Sequence, residues 1–205
     1  MFWDRVANVY DKFEDRVNAD VNKKMCLTVT SYINHSDDVL ECACGTGIIT
    51  TYIGIKCHKL MATDISRKML EVAKEKCKTL DNVRFKRAEI TYLNCHDNFF
   101  DKVVAGNVIH LLEDDDAEEA ISELVRVCKV GGKIIIPTYI DFVNEDAKPS
   151  KISVALDKMG VGFQKYFTYE SYQEYFYELG YKDIEFQLIE GKIPCAIAII
   201  TKYNK

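Results

Sequence analysis

Residues 37–47 read Asp-Asp-Val-Leu-Glu-Cys-Ala-Cys-Gly-Thr-Gly, and this stretch limits the folds open to the chain more than any other. Val39 and Leu40 run into the small residues Cys42, Ala43 and Cys44, a segment with the length and composition of a buried strand. Gly45-Thr46-Gly47 then turns the chain, and Ile48 to Ile53 opens a helix. A strand, a glycine turn and a helix N-terminus in direct succession make a ligand cradle. Glycine lets the backbone approach a ligand closely, and the free N–H groups of the first helical turn attract electron-rich atoms. Glu41 adds a carboxylate beside the turn.

The rhythm set there continues downstream. Strands are expected at 39–43, 59–64, 83–88, 101–106 and 133–137, with helices at 48–57, 67–78 and 115–129 between them. Ser66 is placed to cap the second of these helices, whose inner row is Met69, Ala73 and Cys77. The third opens on Asp114, Asp115 and Asp116, acids that favour a helix N-terminus, and Gly131-Gly132 reads as its stop. Short strands alternating with longer helices predict an α/β fold. The expected form is a Rossmann-like doubly wound sheet of seven strands, mostly parallel with an antiparallel last strand and helices on both faces. The last two strands, 183–189 and 196–202, are joined too closely for a parallel crossover and must pair antiparallel.

Flanking segments complete a single domain. Val6, Val9 or Tyr10, Phe13 and Val17 recur at three- and four-residue steps, the mark of an amphipathic helix or helix pair, with a second helix capped at Asn18 or Asp20 and running to Ser31. Residues 1–35 are thus expected as an N-terminal helical cap, and 37–138 as the ligand-binding core. Residues 139–166, with Pro149, Gly160 and Gly162 and one helix near 150–159, break the rhythm as an insertion on the substrate side. Residues 167–205 form a tyrosine-rich helix at 168–179, ended by Gly180, and the strand pair.

Composition narrows the setting. A net charge of −5 gives no footprint for nucleic acid, and no apolar run reaches the length of a membrane span. The charged N-terminus lacks the apolar core of a signal peptide, so the cytoplasm is expected. The 8 cysteines sit mostly inside apolar runs and read as small buried hydrophobes of a reducing compartment. Cys42-x-Cys44 has no partner pair at ligand spacing, and no metal is expected.

In an open parallel sheet the ligand lies at the carboxyl ends of the strands. Glu41, Gly45, Gly47, Asp64, Glu89, Gly106 and Asn107 stand there. Asp64 suits a ribose diol, although it can also cap the helix that follows. A dinucleotide fingerprint fails: counting from Gly45 puts Thr50 where the third small residue belongs, and counting from 43 puts Ala43 in the place of the first glycine. Tyr52-x-x-x-Lys56 lies too early for short-chain dehydrogenase chemistry.

Val-Leu-Glu-Cys-Ala-Cys-Gly-Thr-Gly resembles the first motif of class I S-adenosylmethionine-dependent methyltransferases. Asp64 matches their ribose-binding acid. The stretch from Phe85 to Val104, then Leu111-Leu112, and then Val127-Cys128-Lys129-Val130-Gly131-Gly132-Lys133 follow their later motifs in order, with Val130 where proline is usual. Phe2-Trp3-Asp4-Arg5-Val6-Ala7-Asn8-Val9-Tyr10-Asp11 is similar to the start of small-molecule members akin to ubiquinone/menaquinone-biosynthesis methyltransferases. The resemblance implies S-adenosyl-L-methionine as methyl donor, with S-adenosyl-L-homocysteine as product. It implies that Glu41, Ala43, Gly45, Thr46 and Gly47 hold the methionine moiety and Asp64 the ribose. Ile65, Met69, Ala88, Glu89 and Ile90 would surround adenine, Asn107 would line the sulfonium end, and Tyr10 would close the site. Ala43 replaces the usual first glycine, and Glu41 and Glu89 stand where aspartate is commoner.

His110, a few residues past the fourth strand, either faces the methyl group as a base or is a satisfied histidine at a helix start. Tyr139 and Asp141 are further acceptor-side candidates, and Tyr166, Phe167 and Tyr169 either wall the pocket or belong to the core. The fourth strand leads into Gly106-Asn107-Val108-Ile109 rather than the Asn/Asp-Pro-Pro-Tyr loop of enzymes acting on DNA bases or protein glutamine. A small-molecule acceptor is therefore expected, with the chain a monomer or homodimer. The alternatives are a non-catalytic protein that binds the methyl donor and a nicotinamide-dependent oxidoreductase.

Overall fold

Every second residue of the central strands faces the opposite side of the sheet, and in this chain both sets are apolar. Leu40 and Cys42, Val103 and Ala105, and Ile134 and Ile136 bury into one core, while Val39, Val104 and Ile135 bury into another. A strand apolar on both faces must be covered on both, which is why helices flank this sheet on two sides. The computed structural model describes residues 2–140, 154, 158, 160 and 163–204, excepting the side chains of residues 9, 12, 13 and 15. The expected helix at 150–159, Pro149, Gly162 and Asp141 lie outside the described residues, apart from the isolated positions Val154 and Lys158.

The elements run α1 (Phe2–Ser31), β1 (Asp38–Cys42), α2 (Ile48–Lys56), β2 (Lys59–Asp64), α3 (Arg67–Lys76), β3 (Val83–Arg87), β4 (Phe100–Ala105), α4 (Asp114–Val127), β5 (Cys128–Tyr139), α5 (Tyr169–Glu178), β6 (Ile184–Ile189) and β7 (Cys195–Thr201). They form one seven-stranded sheet in the order β3-β2-β1-β4-β5-β7-β6. β1 lies parallel between β2 and β4, with Glu41 level with Ala62 and Val104. β7 runs antiparallel to both β5 and β6. The expected doubly wound, mostly parallel sheet is present. Its order reverses between β1 and β4, the position at which such sheets bind ligands.

One core joins α4, through Ile121 and Leu124, to α5, through Tyr172 and Phe176. The other joins Met25 and Val29 of α1, with Ile33 just past its end, to Ile49 and Ile53 of α2 and Leu70 of α3. The local signals act as chemistry dictates. The Met69 N–H donates to Ser66 Oγ at the start of α3, Thr168 and Ser171 form a reciprocal capping box on α5, and Gly180 takes a φ of +89° just past its end. No helix of the described residues is long and apolar enough to cross a membrane.

The N-terminal segment is the expected helix pair, joined at Asn18, whose φ of −143° and ψ of 23° break the helical path. The Asn18 side chain is turned to the β6–β7 connection, where its Nδ2 donates to Ile193 O and its Oδ1 accepts from Ile193 N. Gly131-Gly132, read as a helix stop, lies within β5. α4 ends at Val127 because Cys128 turns extended to pair with Phe100, and the glycines make the irregularity that shifts the β4–β5 register. At Gly132 a Cβ would fall 2.7 Å from Asp101 O and from Cys128 Sγ, so the bulge admits only glycine.

Candidate active site

The carboxyl ends of β1, β2, β3 and β4 open on one cavity of about 420 Å³, a size that holds a small organic ligand. Each wall comes from a strand end or from the turn after it. β1 supplies Glu41, and the turn that follows supplies Ala43, Gly45 and Thr46. Asp64 and Ile65 end β2, Met69 looks in from α3, and Ala88, Glu89 and Ile90 follow β3. Asn107 follows β4, and Tyr10 covers the cavity from α1. Of the proposed cofactor-binding residues, Gly47 is not in the wall, and neither is the candidate base His110.

Glu41 is 1% exposed, and its Oε2 has no hydrogen-bond partner. Burial, with Asp64 adding repulsion, raises its carboxyl to about 8. Its unpartnered Oε2 leaves this carboxyl open to a ligand. Asp64 is better supplied: Gly45 N donates to Oδ2 and Ser66 N to Oδ1, each at 2.8 Å. Burial still holds its carboxyl above the ordinary range, and each oxygen keeps a further lone pair for a ligand. Its capping bond to Ser66 and its place in the cavity wall coexist, so the two sequence readings were not exclusive.

The turn is built from backbone that side chains usually avoid. Ala43 and Asn107 both have φ of +53°, and Gly45 has +54°. A Cβ on Gly45 would meet nothing within 4 Å, so the turn leaves open space beside this residue while its N–H is held by Asp64. Gly47 is different. It caps α2 with φ of +84°, and its Cβ would press on Ala73 of α3 at 3.2 Å. Packing of α2 on α3 thus requires glycine at this position.

His110 also moves from its expected place. It lies on the short 3₁₀ turn Ile109–Leu111, 3% exposed, with Nδ1 unpaired and its ring 5.4 Å from Phe163. Burial drops it to about 3, so it stays neutral and is a poor proton acceptor. Phe167 and Tyr169 pack in the core under α5, while Tyr139 does line the cavity.

Sequence reasoning missed Trp3, Asn22 and Met25, which also line the cavity. Trp3 stands two helical turns before Tyr10 and meets it edge to face at 6.1 Å, a spacing that could have flagged it. Asn22 and Met25 carried no such signal. Polar links fasten the first half of α1 over the cavity: Ser66 Oγ donates to Asp4, and Thr46 Oγ1 donates to Asp11, which also pairs with Lys76 at 2.7 Å.

Residues 39–132 match a family model described as a methyltransferase domain. That span contains the strand–turn–helix, the three strand-end acids and the reversal of strand order. Over that span the chain resembles a methyltransferase domain. A demethylmenaquinone methyltransferase of Bacteroides fragilis is 27% identical over 159 residues, 73% of this chain and 62% of the relative. A ubiquinone/menaquinone biosynthesis C-methyltransferase of Francisella tularensis subsp. novicida is 24% identical, covering 97% of this chain and 88% of the relative. The chain thus spans less than two thirds of the first of these and most of the second. Among solved structures, an S-adenosylmethionine-dependent methyltransferase of Aquifex aeolicus superposes with a TM-score of 0.68 at 18% identity, covering 95% of this chain and 97% of that one.

The cofactor of such domains is S-adenosylmethionine, and the walls of the cavity fit it. The orphaned Glu41 oxygen suits an ammonium, and the free lone pairs of Asp64 suit a diol.

Proposed function

We propose that this chain transfers a methyl group from S-adenosylmethionine to a small-molecule acceptor. The observation that carries the reading is the convergence of three strand-end acids, Glu41, Asp64 and Glu89, on one cavity where the strand order reverses. Glu41, Ala43, Gly45 and Thr46 hold the methionine end, with Gly47 setting the helix that supports the turn. Asp64 holds the ribose. Ile65, Met69, Ala88 and Ile90 pack on adenine while Glu89 accepts from its amino group. Asn107 borders the sulfonium, and Tyr10 with Trp3 closes the cavity from α1. Residues 1–35 then act as a cap, and residues 139–166 as the acceptor-side insertion.

Bound there, the cofactor supplies an electrophilic methyl group. The chain's part is to align the acceptor with it and keep water away. A small acceptor is favoured by the lack of a base- or glutamine-binding loop after β4 and by the quinone-biosynthesis names of the relatives. Eight free cysteines are consistent with a cytoplasmic setting.

Calorimetry tests the reading. S-adenosylmethionine and S-adenosylhomocysteine should bind and NAD should not; NAD binding alone would favour the oxidoreductase. Release of S-adenosylhomocysteine with a panel of phenols, thiols and amines then separates an enzyme from a non-catalytic binder.

A further inference from the structure

Behind the acceptor end of the cavity lies a buried polar triangle that the cofactor site does not use. Glu14 of α1 is 5% exposed and Asn22, two turns on, is 6% exposed. Tyr139, at the end of β5, joins them across the sheet edge. Asn22 Nδ2 donates to Glu14 Oε2 at 2.9 Å. The Tyr139 hydroxyl lies 2.9 Å from Glu14 Oε2 and 2.5 Å from Asn22 Oδ1. Tyr139 and Asn22 both line the cavity, whereas Glu14 stands behind them.

Counting protons shows what is unusual. The triangle has three short contacts, and one is supplied by the Asn22 amide. The other two share the single Tyr139 proton between two acceptor oxygens. A proton on Glu14 would complete the ring: Glu14 would donate to Tyr139, and Tyr139 to Asn22. The arrangement is one proton short, and Tyr139, whose oxygen would pass that proton on, is a residue that lines the cavity.

We propose that Tyr139 and Glu14 form a proton relay that takes the proton of a hydroxyl-bearing acceptor, with Tyr139 as the catalytic residue and Glu14 as the positioning and proton-holding residue behind it. The inference rests on the methyl-transfer reading given above. In this step the acceptor's O–H bond breaks and its electron pair stays on oxygen. The proton goes to the Tyr139 oxygen while the Tyr139 proton passes to Glu14 Oε2, leaving an anionic nucleophile and a neutral acid. His110, neutral and outside the cavity wall, does not compete for this role. The other groups that face the triangle are Tyr10 of α1, hydrogen-bonded to Glu14, Cys195 on β7, and the His110 ring, 6.4 Å from that of Tyr139. Burial first, and then the Glu14 charge, hold both phenols above their usual range, so a tyrosinate is not the resting base.

The test uses the whole chain with S-adenosylhomocysteine bound and 4-nitrophenol as the acceptor probe, because its absorbance reports ionisation without turnover. In the wild type the bound probe should ionise at lower pH than in solution. In Glu14→Gln, and independently in Tyr139→Phe, the ratio of ionised to neutral bound probe at a fixed pH near neutrality should fall by about tenfold or more, the size of one pKa unit. Bound probe that ionises alike in all three proteins overturns the relay, as does a probe that fails to bind while S-adenosylhomocysteine binds. Failure of S-adenosylhomocysteine itself to bind the wild type overturns the methyl-transfer reading instead, so the two failures are distinct.

Discussion

Glu41 offers a measurement that needs neither acceptor nor cofactor. Its carboxyl moves from 4.5 to about 8 on folding, chiefly because it is buried with one oxygen unpaired. Between those two values the folded chain holds a proton that the unfolded chain has released. Stability is therefore greatest at low pH and declines as pH rises through the folded value. One pKa unit corresponds to about 1.4 kcal/mol, so moving from about pH 6 to about pH 9 should cost about 3 kcal/mol at this residue alone. Glu41→Gln is nearly the same size and has no charge to bury. Urea unfolding followed by circular dichroism, for both proteins across that range, gives the difference directly, and groups that titrate in both cancel. The wild type should lose about 3 kcal/mol relative to Glu41→Gln. Parallel stability curves for the two would refute the reasoning. The same charge should make S-adenosylhomocysteine bind more tightly to the wild type as pH rises toward 8, and leave the variant flat.

Asp64→Ala removes the acceptor of the Gly45 and Ser66 amides and the proposed ribose contact, each charge-assisted bond being worth about 1.5–3 kcal/mol. Calorimetry should show S-adenosylhomocysteine affinity down by about 100-fold or more, whereas wild-type affinity would remove Asp64 from the site. Gly47→Ala forces a side chain into left-handed backbone against Ala73 and should cost about 1–3 kcal/mol in chemical denaturation. For His110 the folded value of about 3 lies below the unfolded 6.5, so stability is full above 6.5 and is lost as pH falls toward 3. His110→Phe should therefore shift acid unfolding, read by far-ultraviolet circular dichroism, to lower pH.

What could be read from the sequence was local. The strands at 59–64 and 39–43 declare themselves by short apolar runs, Ser66 by its hydroxyl at a helix start, and Asn18 by the same kind of signal at the break in α1. The cradle turn was legible because its strand, glycine turn and helix start are written into consecutive residues. Gly131-Gly132 misled because glycine after a helix and glycine in a bulge look alike until a partner strand is known. Thr46 and Asp11, 35 residues apart, and Tyr139 and Glu14, 125 apart, were beyond reach for a similar reason: nothing near either residue in the chain names its partner. The packing constraint on Gly47 was hidden in the same way, since Ala73 stands 26 residues on.

The place of β7 in the sheet has a consequence for how the chain folds. β6 has β7 as its neighbour in the sheet, and β7 also covers the edge of β5. β6 leaves the ribosome first and waits unpaired while β5 presents an open edge. Seven residues, Cys195–Thr201, satisfy both at once by sliding between them. The half of the sheet bearing the glycine turn can assemble from earlier segments, but the other half closes in a single late step. Nonsense or frameshift changes upstream of Cys195 would leave two adhesive strand edges, so such products should aggregate rather than persist as soluble, partly active fragments.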